Sequence, residues 1–194
     1  MPRSQTERRA TNVFDASDRI VSATVECGAA TSEELYFHDG NGSMTNVLAD
    51  GTSVFAARYD AQGRLAEVAP DGDAAHSFAY DALGNRIVED GCLWVPDHAD
   101  GLKRPLIECD AAGNPVRYYL WAGNRLLGFI DAAGTLTVAH ADEQGSVVAL
   151  TDASGDVLYA ANYGPHGEDW GTSGTNPTPF AWLGGLGVKR LPSA

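Results

Sequence analysis

The feature that most limits what this chain can fold into is a short pattern, Asp-x-x-Gly, that returns at a near-constant interval. It starts at Asp39, Asp60, Asp81, Asp110, Asp131, Asp142 and Asp152, with its glycine at Gly42, Gly63, Gly84, Gly113, Gly134, Gly145 and Gly155. With Asp142 set aside, the steps are 21, 21, 29, 21 and 21 residues. A degenerate copy begins at Asp15, with Asp18 in the glycine position and a step of 24 to Asp39. Aspartate at the first position and glycine at the fourth are the favoured ends of a type I β-turn. The carboxylate can take a backbone amide two residues on, and glycine accepts the positive φ that returns the chain to a hairpin ladder. An apolar residue follows two places after the glycine position, at Ile20, Met44, Leu65, Leu136 and Val157, and slips by one place to Ile87 and Val116. Equal steps with matching flanks identify an array of like units.

Within a unit the second limb alternates. Phe55, Ala57 and Tyr59 share one phase, as do His76, Phe78 and Tyr80, and a period of two is a strand. The middle of the unit breaks at Ala49-Asp50-Gly51 and Pro70-Asp71-Gly72, again turn chemistry. Each unit is thus two strands and two turns. Residues 1–13 form a loose lead, 14–89 the regular hairpins, and 90–108 an insertion loop anchored by Trp94. The hairpins resume over 109–163 with near-continuous apolar runs, which suit strands covered on both faces. Residues 164–179 lack a period and read as a flexible connector, and 180–194 as a final strand and tail. Glycine and proline break every window that could make a helix. The expected fold is all-β: a curved antiparallel strip of repeated β-hairpins, incomplete as it stands. About twelve to fourteen strands at about 4.8 Å make a sheet roughly 60 Å wide, and open twisted sheets of that size bend. Two bare edges make such a strip prone to edge pairing and oligomers.

The net charge of −13 argues against nucleic acid or an anionic membrane as partner. Of 26 acidic residues 17 are aspartate, and eight of those head the turns, so turn-making explains much of the excess without a ligand. Three cysteines, Cys27, Cys92 and Cys109, have neither the number nor the spacing of a disulfide framework or a zinc site and are expected to be buried, inert thiols. No signal peptide is visible and no stretch approaches a membrane span.

These residues carry a family resemblance. Tyr59-Asp-Ala-Gln-Gly63-Arg-Leu65 and Tyr80-Asp-Ala-Leu-Gly84-Asn-Arg86 resemble the YD repeats of Rhs proteins. His140-Ala-Asp-Glu-Gln-Gly145-Ser, Asp152-Ala-Ser-Gly155 and Asn162-Tyr-Gly-Pro-His-Gly-Glu168 resemble the opening of the Rhs repeat-associated core, and Phe180-Ala-Trp-Leu-Gly-Gly185 the block after its variable linker. The resemblance covers residues 14–188. It implies a β-strip wound into a hollow shell around a C-terminal toxin domain, as in polymorphic toxins and the C components of insecticidal toxin complexes. The family's later Tyr-Asp-Pro-x-x-Gly-Arg-Phe block and its Asp-Pro-x-Gly self-cleavage motif are not in this sequence, so the chain reads as a truncated or interior segment. The partners implied are the remaining repeats and the enclosed toxin domain of a parent protein, which would be secreted or at the cell surface if exported.

The sequence offers little reactive chemistry. His140 and Asp142 point the same way on a strand, but Asp142 belongs to its own turn. Asp97, His98 and Asp100 are too few fixed ligands for a firm cation site. His166 has no nucleophile beside it. The aspartate turns lack the nine-residue Gly-Gly-x-Gly-x-Asp interval of calcium-binding β-rolls. No catalytic, cofactor or metal site is expected, and the chain reads as a non-catalytic wall segment. The alternative is a cell-surface carbohydrate- or protein-binding repeat module, with Trp94 or Trp170 as a glycan platform and Trp121 in the core.

Overall fold

A computed structural model describes residues 8–70, 74–99, 101 and 103–190. The mid-unit break at Asp71-Gly72, the insertion residue Asp100 and the tail from Leu191 lie outside the described residues. The fold is all-β. Its strands are β1 Arg8–Phe14, β2 Ile20–Cys27, β3 Ala30–His38, β4 Met44–Ala49, β5 Thr52–Tyr59, β6 Leu65–Pro70, β7 His76–Tyr80, β8 Arg86–Glu89, β9 Cys92–Pro96, β10 Pro105–Cys109, β11 Pro115–Ala122, β12 Arg125–Asp131, β13 Leu136–Ala141, β14 Val147–Asp152, β15 Val157–Tyr163 and β16 Asp169–Gly174. Strand order follows chain order. Within β1–β7 and within β8–β16 each strand pairs antiparallel with the one before it. The chain divides into two units, Met1–Phe78 and Ala79–Ser193.

The repeated turn has one geometry. At Asp60 the Gly63 amide donates to the Asp60 carbonyl at 2.9 Å, and the Asp60 amide donates to the Arg64 carbonyl at 2.9 Å. Oδ1 of Asp60 accepts the amides of Gln62 and Arg64, both at 2.9 Å. A backbone carbonyl would ordinarily take the second of these amides; here a side chain does, and the ladder slips by one residue. Tyr59 therefore faces Leu65, and the same slip sets Phe14 opposite Ile20, His38 opposite Met44 and Thr151 opposite Val157. This is a type I turn closed by a glycine bulge, with Gly63 at φ 76°. It accounts for the apolar residue two places after the glycine: that residue is the first to face the incoming strand. Asp18 stands at φ 58° in the glycine position of the first copy. The other carboxylate oxygen takes the residue that follows the glycine position: Arg19 on Asp15, Arg64 on Asp60, Asn85 on Asp81 and Asn114 on Asp110.

These bonds stabilise the ionised form. The Arg19 amide, its guanidinium and the Ser17 amide hold the Asp15 carboxyl at about 2. The carboxyls of Asp60 and Asp131 are lowered chiefly by the amides of Arg64 and Thr135, and those of Asp81 and Asp110 chiefly by the side-chain amides of Asn85 and Asn114. A carboxylate whose folded value lies below its unfolded value of about 4 contributes stability above that pH and loses it as pH falls through the folded value. Melting temperature is therefore expected to be flat above about pH 5 and to fall progressively from about pH 4 towards pH 2. A melt that sharpens or rises over that acid range would contradict the turn chemistry.

Three differences from the sequence reading concern where strands lie. Residues 8–13 of the expected loose lead belong to β1, and the expected connector holds β16. The insertion is not a loop: it contributes β9 and most of β10. The 29-residue step from Asp81 to Asp110 thus spans three strands, β8, β9 and β10, whereas each 21-residue step spans two. Since successive strands run in opposite directions, the third strand moves the later turns to the other end of the second unit's sheet. Asp81 lies at one end; Asp110, Asp131 and Asp152 lie at the other. The fourth difference is the final segment, which makes an isolated bridge between Phe180 and Lys189 and a 3-10 turn, Gly184–Leu186, in place of a strand.

In the first unit, register places buried Ala23, Val25, Val47 and Val68 on one face with Tyr36 and Phe55, while Leu35 and Phe37 on the opposite face are exposed. In the second unit one face carries Trp94, Tyr119, Phe129, Leu150 and Tyr159, and it is closed by residues 176–190.

Candidate functional site

The second unit's covered face is the most built-up part of the molecule. After β16 the chain turns back and lies across it as a strap. Asn176 shapes the strap: its Nδ2 donates to the Phe180 carbonyl at 2.7 Å and its Oδ1 accepts the Thr178 amide at 2.9 Å. Phe180 is fully buried, edge-on to Tyr119 at 5.0 Å and to Trp121 at 5.7 Å. The strap is then sewn to the turn between β13 and β14. Val147 donates to the Ala181 carbonyl at 2.8 Å, Gly185 donates to the Gly145 carbonyl at 2.7 Å, and Leu183 donates to Ser146 Oγ at 3.2 Å.

That contact explains the paired glycines. A Cβ on Gly185 would come within 2.7 Å of the Gly145 carbonyl oxygen, and one on Gly184 within 2.8 Å of Phe180 Cβ. Gly185→Ala must push backbone off backbone, and is expected to cost about 1–3 kcal/mol in a denaturant melt of the full chain. No loss of stability would mean that the strap does not sit this close.

Charge is buried beneath the strap. The Lys189 ammonium donates to Glu89 on β8 and stands 4.0 Å above the Trp94 ring. Burial lowers the lysine's proton affinity, and the carboxylates of Glu89 and Glu108 oppose that. Glu108 on β10 is itself paired through both oxygens. One oxygen takes Arg117 Nη1 at 2.7 Å and the other takes the Tyr119 hydroxyl at 2.6 Å. Burial, with the Glu108 carboxylate next in order, pushes the Tyr119 phenol well above its ordinary range. The Arg104 guanidinium lies 5.3 Å from the Trp121 ring centre, and Trp121 Nε1 donates to the Pro105 carbonyl at 2.9 Å. These groups hold each other in place.

The residues singled out from sequence fall as follows. His140 meets Thr151 Oγ1 at 3.0 Å, while the Asp142 carboxylate takes the Ser146 amide at 2.8 Å, so the two serve different partners. Asp97 accepts the Ala99 amide at 2.9 Å in the β9–β10 connection, and Lys103 donates to the His98 carbonyl at 2.8 Å. Among the described residues no group of three or more His, Cys, Asp or Glu gathers as a metal site would. Trp94 is on β9 and buried, Trp121 is half-buried against Phe180, and Trp170 on β16 is 68% exposed. The thiols correct the expectation that all three are buried: only Cys109 is, Cys92 is intermediate and Cys27, beside the β2–β3 turn, is exposed. The buried ion pair is beyond sequence reasoning; its one trace is a lone lysine close behind the last apolar block.

A ninth copy of the turn is also hidden from the sequence. Gly164 stands where the aspartate would be, yet Gly167 donates to the Gly164 carbonyl at 3.1 Å and Gly164 to the Glu168 carbonyl at 2.8 Å. The carboxylate arrives from the other side: Glu168 takes the His166 amide at 3.0 Å. The function is kept while the residue that supplies it moves from the first position to the fifth.

No family model and no curated protein matches the chain. Solved structures do match, in fold alone. The crystal structure of TcdB2-TccC3-TEV aligns with a TM-score of 0.47 and 12% identity over 92% of this chain and 11% of the other. TcdB2-TccC3 without its hypervariable C-terminal region gives 0.47 and 11% over the same shares. The Photorhabdus luminescens Tc holotoxin pore with a TccC3 substitution gives 0.45 and 10% over 90% of this chain and 12% of that one. The chain thus spans about a tenth of the length of the chains it matches.

Proposed function

We propose that this chain is a non-catalytic wall segment of an Rhs-type β-shell that encloses a C-terminal toxin domain in a longer protein. One observation carries the reading: like turns, each locked by a carboxylate, join strands that follow one another in chain order. A wall needs that regularity, and many of its polar side chains serve the turns, the strap and one another. The enclosed domain and the shell's closure come from the sequence resemblance, and the charged groups under the strap support a holding role over a reactive one.

The test has two arms. The longer protein, digested with trypsin, should yield a C-terminal domain that resists cleavage while the wall is intact and is degraded when the turns are broken by Asp60→Ala with Asp131→Ala. Equal protection in wild type and variant would overturn the reading. Purified 1–194 should show no nuclease or protease turnover above buffer, and turnover that survives mutation of His140 and Asp142 would equally count against it.

A further inference from the structure

Trp170 is the most exposed aromatic ring among the residues described, at 68%. It borders a groove of about 420 Å³ shared with Tyr163, Pro165, Asp142, Glu143 and Gln144. The groove lies between two turns, the one that joins β13 to β14 and the one that joins β15 to β16, which occupy the same end of the sheet because each follows an odd-numbered strand. The indole is propped from behind: a Cβ on Gly164 would come within 2.9 Å of its Cε2, so the ring rests against bare backbone. That packing fixes the ring without covering it.

The rim is rich in acceptors. Asp142 spends Oδ1 on the Ser146 amide, and among the described residues its other oxygen and the side chains of Glu143 and Gln144 have no hydrogen-bond partner. Arg125 reaches the main-chain oxygen of Asp142 at 3.4 Å. A fixed indole beside two carboxylates suits a planar organic cation, which stacks on the ring while its N–H groups fork to the oxygens. A neutral sugar would use the ring but not the charge. The chain's net charge of −13 adds long-range attraction for a basic partner.

We propose that this groove receives an arginine side chain of a partner polypeptide. The site stands apart from the wall reading and would hold whether or not the chain lines a shell. Saturation-transfer difference NMR on the full chain tests it with three probes: acetyl-arginine methylamide, its uncharged isostere acetyl-citrulline methylamide, and methyl β-glucoside. The arginine amide should saturate in the millimolar range and bind at least about threefold more tightly than the citrulline amide. Trp170→Ala and Glu143→Gln should each weaken it by about threefold or more, and the second leaves the ring and its packing in place. Equal binding of arginine and citrulline amides, or binding indifferent to both substitutions, would overturn the proposal. So would Trp170-dependent saturation by the glucoside without any by the arginine amide, which would assign the groove to sugars.

Discussion

Phe180→Ala is expected to lower the stability of the second unit by about 3–5 kcal/mol, the range for deleting a fully buried phenylalanine. The ring fills the space between Tyr119 and Trp121 and touches the face on which Leu150 and Val147 are almost wholly buried. The strands beneath cannot collapse into the hole, because each is held in register by its neighbours. For a unit of about 115 residues the loss corresponds to roughly 10–20 °C in melting temperature. Hydrogen exchange should report it first at the amides of Val147 and Gly185, which bond the strap to the β13–β14 turn. The amides of β2 to β5, in the other unit, serve as the internal control. A loss below about 1 kcal/mol would mean that the strap is not part of the core.

Lys189→Met should be nearly as damaging, for a different reason. The Glu89 side chain is 6% exposed and that of Lys189 14%, so removing the ammonium strands a carboxylate with little water to replace its partner. Breaking one side of such a pair costs about 3–5 kcal/mol, whereas replacing both sides is far milder. The double variant Glu89→Gln with Lys189→Met should therefore recover most of the stability, and a double-mutant cycle should give a coupling of about 2 kcal/mol or more. Additive losses would show the two groups to be solvated separately. Methionine keeps an apolar stem of similar length but removes the ammonium from both Glu89 and the Trp94 ring, and the cycle isolates the part that depends on Glu89.

The hairpins are legible in the sequence because their turns draw on local chemistry. Asp60, Gln62, Gly63 and Arg64 act within five residues, and the bulge they impose can be anticipated from the apolar residue at Leu65. What is hidden depends on distance along the chain or on substitution of one solution for another. The Glu89–Lys189 pair joins residues 100 apart. The Gly164 turn does its work with Glu168, so a search for aspartate passes over it. β9 lacks alternation, since Trp94 and Pro96 are buried beneath the strap and Val95 between them is also apolar, which is why the insertion reads as a loop. Gly184 and Gly185 fall inside the expected final strand, and they are instead the close approach that lets the strap lie down.

Equal spacing reflects like hairpins that follow one another in chain order, with the 29-residue step adding one strand and so changing ends. Spin labels at Ala112 and Ala133, in turns two strands apart at the same end, should lie about 10 Å apart at the backbone and broaden each other's spectra. Labels at Leu83 and Ala112 sit at opposite ends and should be separated by about 20 Å, as measured by pulsed dipolar spectroscopy. Distances in that order are expected of hairpins whose turns change ends at the 29-residue step; a Leu83–Ala112 separation as short as that of Ala112–Ala133 would contradict that arrangement.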